Sequence, residues 1–68
     1  MKLAVIKVVS KNGLKFGYWK DEEHIVDEKE HAFYGDINYM NGLCRGINFA
    51  INFYGDEFID HAEVEIVK

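Results

Sequence analysis

The sequence predicts a small two-layer α+β domain in the order β-β-(β)-α-β, with one long helix packed on a short sheet. Three observations lead to this fold class. An apolar run over residues 3–9 is followed by the turn pair Asn12-Gly13 and a second apolar run, the apolar spacing becomes helical over 37–54, and strict alternation returns over 62–67. A chain of 68 residues has room for one core, so we expect residues 1–68 to form a single domain.

The first two runs predict a β-hairpin. Nearly every position of 3–9 is apolar, as in a strand that is central in its sheet or covered on both faces. Asn12-Gly13 favours a tight turn because both residues tolerate positive φ. In the second strand, 14–19, alternation places Leu14, Phe16 and Tyr18 on one face.

Further strand segments are shorter or come later in the chain. Residues 24–26 predict a short third strand, and 31–34 a further extended piece. The strand over 62–67 has Glu63 and Glu65 at alternate positions, which we expect to face solvent. A right-handed crossover from the helix would place this last strand parallel to the first.

The helix has recognisable ends and a broad apolar stripe. Asp36 is the expected N-cap and Gly55 the expected C-terminal stop. At 100° per residue, one stripe is expected to form the core, with Ile47 at its centre. Its members are Ile37, Met40, Leu43, Cys44, Ile47, Ala50, Ile51 and Tyr54. A separate polar sector holds Asn38, Asn41, Arg45, Asn48 and Asn52.

The remaining sector of the helix carries aromatic residues and glycines. It consists of Tyr39, Gly42, Gly46, Phe49 and Phe53. Each glycine costs a helix about 1 kcal/mol relative to alanine, so a compensating contact is expected. We interpret this sector as a homodimer or partner interface. Two alternatives are that the 20–34 loop covers it, or that the glycines let the helix lie close to its own sheet.

Acidic residues are concentrated before and after the predicted third strand. They are Asp21, Glu22, Glu23, Asp27, Glu28 and Glu30. With a net charge of −4 for the chain, this pattern disfavours direct binding to nucleic acid, which requires clustered Lys and Arg. Such loops can instead imitate a phosphate track and bind a protein with a basic surface.

No catalytic or metal-binding pattern is present. His24, His31 and His61 lack metal-ligand spacing, and Cys44 falls in the core stripe, where an inert thiol is expected. A single cysteine allows no internal disulfide. We therefore expect no enzymatic activity, no cofactor and no metal. The absence of a long apolar run or cleavage site predicts a cytoplasmic protein without a membrane segment.

The element order resembles the truncated ribonuclease-H-like domain of HicB-type antitoxins. Gly35-Asp36 and the following helix correspond to a Gly-Asp helix start that is common in that family. The sequence has no Gly-Cys segment ahead of the helix and no DNA-binding tail, and 3–9 contains no aspartate such as active ribonucleases of this fold require. The resemblance therefore concerns architecture and assigns no family.

Two functions are compatible with these features. The first is a small acidic module that acts by protein–protein interaction, such as a phage-encoded or mobile-element inhibitor, a nucleic-acid mimic or an antitoxin-like protein, with a nucleic-acid-handling protein among the expected partners. The second is a small-ligand or nucleotide-binding domain with its site at a homodimer interface.

Overall fold

A computed structural model, which describes residues 2–13 and 15–67, has one helix packed on a five-stranded antiparallel sheet. The elements are β1 (Leu3–Ser10), β2 (Phe16–Asp21), β3 (His24–Val26), β4 (Gly35–Asp36), α1 (Ile37–Tyr54) and β5 (Ile59–Ile66), with a 3-10 turn over Lys29–His31. The predicted α+β class and third strand are confirmed. The extended piece expected at 31–34 is not a strand, and the short strand is β4 instead.

Strand β1 lies at the centre of the sheet. β5 pairs with it from Ala4 to Ser10, β2 pairs with 7–9 and β4 with 3–4, while β3 pairs only with β2. Because β5 follows one edge of β1 throughout, β2 and β4 share the other edge. Ala4, Val5 and Ile6 are fully buried, as the continuous apolar run predicted.

The predicted parallel pairing of the last strand with the first is wrong, since β5 runs antiparallel to β1. Asp36 pairs with Leu3, so α1 begins at the start of β1. Its 18 residues extend about 27 Å and carry the chain to the other end, where Ile59 pairs with Ser10. The following strand therefore has to run back. β2 and β4 run parallel to β5, with β1 between them and β5.

β1 ends at Ser10 and β2 begins at Phe16, so the connection is longer than the tight turn predicted at Asn12-Gly13 requires. Gly13 has a φ of 71°, but Asn12 does not adopt positive φ. The Gly13 N–H donates to the Ser10 carbonyl at 3.0 Å, and the Ser10 N–H donates to the Lys15 carbonyl at 3.0 Å. A turn that begins at Ser10 thus replaces the Asn-Gly turn. Leu14, which was predicted to share a face with Phe16 and Tyr18, lies outside the described residues.

Both predicted helix ends are confirmed. The Asp36 carboxylate accepts a hydrogen bond from the Asn38 N–H at 3.0 Å, which satisfies one of the free donors at the helix start. Gly55 adopts a φ of 76°, and its N–H donates to the Ile51 carbonyl at 3.0 Å. Positive φ is readily accessible to glycine, which explains why the helix ends here.

The buried stripe of α1 is rotated from its predicted position. Met40 and Cys44 are its buried members and pack with Ala4, Ile6, Val8 and Ala62. Ile47 is only partly buried, while Ala50 and Tyr54 are exposed. The cause is Asn48, assigned by sequence to the polar sector, whose side chain binds the backbone of β5 and turns this side of the helix inwards.

The sheet face opposite the helix is partly covered as well. Val5 and Tyr18 are buried there, and Glu65 is the cross-strand neighbour of Val5. Glu65 forms an ion pair with Lys29 of the 3-10 turn, whose Nζ also lies 5.7 Å from the centre of the Tyr18 ring. The expectation that Glu65 faces solvent is therefore wrong, whereas Glu63 is exposed. In the described part of the chain, no helix is long and apolar enough to cross a membrane.

Candidate functional site

Strand β3 is an edge strand with acidic residues at both ends. Asp21 is the last residue of β2, and Glu22 and Glu23 form the turn to β3. The other three acids follow β3, within or next to the 3-10 turn. All six are exposed, and we call them the acidic rim: Asp21, Glu22, Glu23, Asp27, Glu28 and Glu30. Because β3 has three residues, its two ends are about 10 Å apart. The six predicted carboxylates are thus divided between the turn before β3, at Asp21 to Glu23, and the segment after it, whose 3-10 turn crosses the sheet face opposite the helix.

The β2–β3 turn is held by Asp21. Its Oδ1 accepts hydrogen bonds from the Glu23 N–H at 2.9 Å and from the Nδ1 of His24 at 2.8 Å. The Glu23 N–H, followed by His24, lowers the pKa of Asp21 below its usual range. The carboxylate therefore stays ionised and fixes the turn that presents Glu22 and Glu23 to solvent.

The segment 20–31, which contains the acidic rim, accounts for the whole net charge of the chain. Residues 20–31 contain six acids and two lysines, which is a net charge of −4 with histidines neutral. The other six acids of the chain are matched by six Lys and Arg residues. One of the two lysines, Lys29, is bound to Glu65 on the far sheet face. Within the described residues, the rim carboxylates other than Asp21 form no ion pair or side-chain hydrogen bond.

The predicted interface on the helix lies opposite its buried stripe. We call this surface the outer face of α1: Tyr39, Gly42, Gly46, Phe49 and Phe53. Tyr39 is 60% exposed, and Phe49 and Phe53 are each 69% exposed. The Phe49 and Phe53 rings stack with their centres 5.8 Å apart. A Cβ atom added at Gly42 or Gly46 would meet nothing within 4 Å, so these glycines do not serve close packing within the chain.

The 20–34 loop covers only one end of this surface. Phe33 makes edge contacts with Trp19, at 5.9 Å between ring centres, and with Tyr39, at 6.3 Å. The Phe33 N–H also donates to the Trp19 carbonyl at 3.1 Å. The loop is therefore anchored at the β2 edge and does not reach the glycines, so neither predicted alternative accounts for them.

A groove runs between the flank of α1 and the end of β2. Its volume is about 590 Å³, and its lining includes Trp19, Glu22, Gly42, Gly46 and Ile47. It exists because one helix cannot cover a sheet of this width, and α1 packs mainly over β1 and β5. A small-ligand site usually has several polar groups that converge in a cavity. Glu22 is the one charged residue among those that line the groove.

His61 is held between two carboxylates. Its Nδ1 lies 2.7 Å from Asp60 Oδ2, and its Nε2 lies 3.5 Å from Glu63 Oε2. The hydrogen bond to Asp60 is the main cause that raises the pKa of His61 above its usual value. Among the described residues, no group of three or more His, Cys, Asp or Glu side chains could hold a metal ion.

Cys44 is buried on the side of α1 that faces the sheet. Burial raises the pKa of its thiol above the usual value, with a smaller contribution from Glu63. A raised pKa keeps the thiol protonated, and the thiol is much less nucleophilic than the thiolate. The position and pKa agree with the predicted inert core residue.

The chain was compared with protein families, curated proteins and solved structures. No family model matches it, and neither comparison with individual proteins or structures finds a significant match.

Proposed function

We propose that this chain is a non-enzymatic binding module that acts by protein–protein contact, with the acidic rim as its recognition surface. The supporting observation is the concentration of the entire net charge of −4 in residues 20–31. A surface of one sign steers a partner of opposite sign and favours its orientation on binding. The partner class is a protein with a basic cleft.

The state of the rim carboxylates supports the same proposal. Among the residues that the structure describes, Glu22, Glu23, Asp27, Glu28 and Glu30 pair with no cation, so binding a partner breaks none of the described ion pairs. The pairing of β3 with β2 and the hydrogen-bonded Asp21 turn hold Glu22 and Glu23 on a defined scaffold. Preorganised groups lose less conformational freedom on binding than those of a free tail.

Proteins that handle nucleic acid carry such basic clefts, since they neutralise phosphates with Lys and Arg. We propose a protein of this kind as the target. The chain would bind in its basic cleft and block it, as an inhibitor or antitoxin does. A phage or other mobile-element origin fits this role. Duplex DNA should then compete with the chain for the same surface of the target.

The test is capture of partners from a lysate of the source organism on the immobilised chain. We expect capture to weaken at raised ionic strength, because exposed charges are screened over about 8 Å at physiological salt. Added duplex DNA should release the captured protein. The double variant Glu22→Lys, Glu28→Lys should fail to capture it.

The matched control is Asn41→Lys, Asn52→Lys, Glu57→Lys, which changes the net charge equally on exposed residues outside the rim. We expect this variant to retain capture. Binding that survives both raised salt and reversal of the rim, or that is lost equally in the control, would contradict the proposal.

A further inference from the structure

We propose that the outer face of α1 packs antiparallel against the same face of a second copy of this chain, with Phe49 of each copy over Gly42 and Gly46 of the other. This inference concerns the outer face of α1, which adjoins the acidic rim at Glu22, and it does not depend on the proposed function. It rests on the shape of the face, the available area and the distribution of charge.

The face carries both a protrusion and a recess. Phe49 and Phe53 are four residues apart and form an exposed ridge. Gly42 and Gly46 are also four apart, with open space in front of both, and form a groove. Ridges and grooves along the i±4 rows are the commonest elements of helix packing, with axes crossing at about 50°. The ridge and groove on one chain therefore suit each other in size and direction.

The positions of the ridge and the groove along α1 favour an antiparallel arrangement of the two helices. The groove lies in the N-terminal half of the helix and the ridge in the C-terminal half. A two-fold axis near Gly46 would place Phe49 of one copy between Gly42 and Gly46 of the other. The same axis would bring Phe53 opposite Tyr39, since each lies seven residues from Gly46. A single two-fold axis thus brings every residue of the outer face into contact with the same face of the second copy, as expected of an isologous dimer.

The exposed area is close to what a stable interface needs. Tyr39, Phe49, Phe53 and the neighbouring Tyr54 are 60%, 69%, 69% and 81% exposed. At about 200 Å² per aromatic side chain, they present about 550 Å². A stable interface buries about 800 Å² per partner, and the adjoining groove can supply the difference.

Electrostatics also permits a second copy despite the acidity of the chain. α1 contains no acidic residue, and Arg45 is its one charged residue. The net charge lies in residues 20–31, on loops outside the helix. The two helices can therefore meet without opposing carboxylates from α1, and the rim carboxylates outside the groove stay available to another protein.

The first test is the mass of the chain in solution over a concentration series, measured by light scattering. We expect the wild-type chain to have twice its 7.9 kDa mass at high micromolar concentration. Phe49→Asp should give a monomer, because a carboxylate would be buried opposite the glycines. Asn41→Asp adds the same charge on another side of the helix and should remain dimeric. A monomeric wild-type chain would overturn the proposal.

The second test reports the geometry without disrupting the face. With Cys44 replaced by alanine, Gly46→Cys places one thiol at the proposed two-fold axis. Mild oxidation should join two chains, since a disulfide requires Cα atoms within about 7 Å. Asn41→Cys in the same background should give no comparable cross-link. Equal cross-linking at both positions would reject this arrangement, and the rim variant Glu28→Lys, outside the groove, should leave either readout unchanged.

Discussion

The side-chain amide of Asn48 binds the backbone of Ala62 in the way a neighbouring strand would. The Ala62 N–H donates to Asn48 Oδ1 at 2.7 Å, and Asn48 Nδ2 donates to the Ala62 carbonyl at 2.8 Å. β5 is an edge strand, and such strands present unpaired backbone groups that can recruit other chains. One helix residue thus satisfies both outward groups of Ala62 and ties α1 to β5.

Replacing Asn48 should destabilise the domain more than its partial burial suggests. Asn48→Ala leaves two backbone groups of Ala62 without their partner, and an unsatisfied buried group costs about 1–3 kcal/mol. Asn48→Asp should also destabilise, because a carboxylate can accept from the N–H but cannot donate to the carbonyl. The free energy of unfolding in urea measures both. Asn41→Ala, on an exposed part of the same helix, is the control, and an equal loss there would argue against the role given to Asn48.

Core substitutions should follow the observed phase of α1. Met40 is fully buried, so Met40→Ala is expected to cost about 2–5 kcal/mol. Ile47, the predicted centre of the stripe, is only partly buried, and Ile47→Ala should cost less. Urea unfolding of the two variants under the same conditions makes the comparison. A larger loss for Ile47 would place the true centre of the core where the sequence predicted it.

Stability near neutral pH should depend on His61. Its folded-state pKa is raised above the ordinary value of 6.5, mainly by Asp60. The stabilisation is therefore fully present below the unfolded-state pKa and is lost as the pH rises through the folded-state pKa. The wild-type chain should lose more stability over this range than His61→Gln. Identical pH profiles of the urea midpoint would show that the imidazolium makes no net contribution.

Gly17 is expected to tolerate no side chain. A Cβ atom there would lie 2.6 Å from Ile25 Cγ2 and 3.2 Å from the Val26 carbonyl oxygen. Gly17→Ala should lower the melting temperature, because β2 and β3 would have to separate. Ile25→Ala removes the closer obstacle. Gly17→Ala should therefore lower the melting temperature less in the Ile25→Ala background than in the wild-type chain. An equal loss in both backgrounds would mean that the backbone contact dominates.

The parts of the fold that could be predicted from sequence are those with local causes. The ends of α1 depend on Asp36 and Gly55, which act on backbone groups within a few residues. Burial of β1 follows from its unbroken apolar run. The open setting of Gly42 and Gly46 follows from their helical distance from Met40 and Cys44.

Other features depend on partners that are distant in sequence. An asparagine counts as polar in an angular pattern, so Asn48 was placed away from the sheet, although its amide satisfies Ala62 fourteen residues later. Glu65 appeared solvent-facing because alternation carries no information about Lys29. The acids of the rim could be identified from composition, but the placement of Glu22 and Glu23 in a tight turn needed the pairing of β2 with β3.

The pairing of β1 with β5 has a consequence for how the chain folds during synthesis. Val8 pairs with Ala62, so the central strand meets its neighbour across most of the sequence. Such non-local pairing slows folding, because a long loop has to close before the contact forms. The hairpin and α1 contain local contacts and can form earlier. One edge of β1 therefore stays open until residues 59–66 have left the ribosome, and this interval is when the nascent chain is most prone to aggregation.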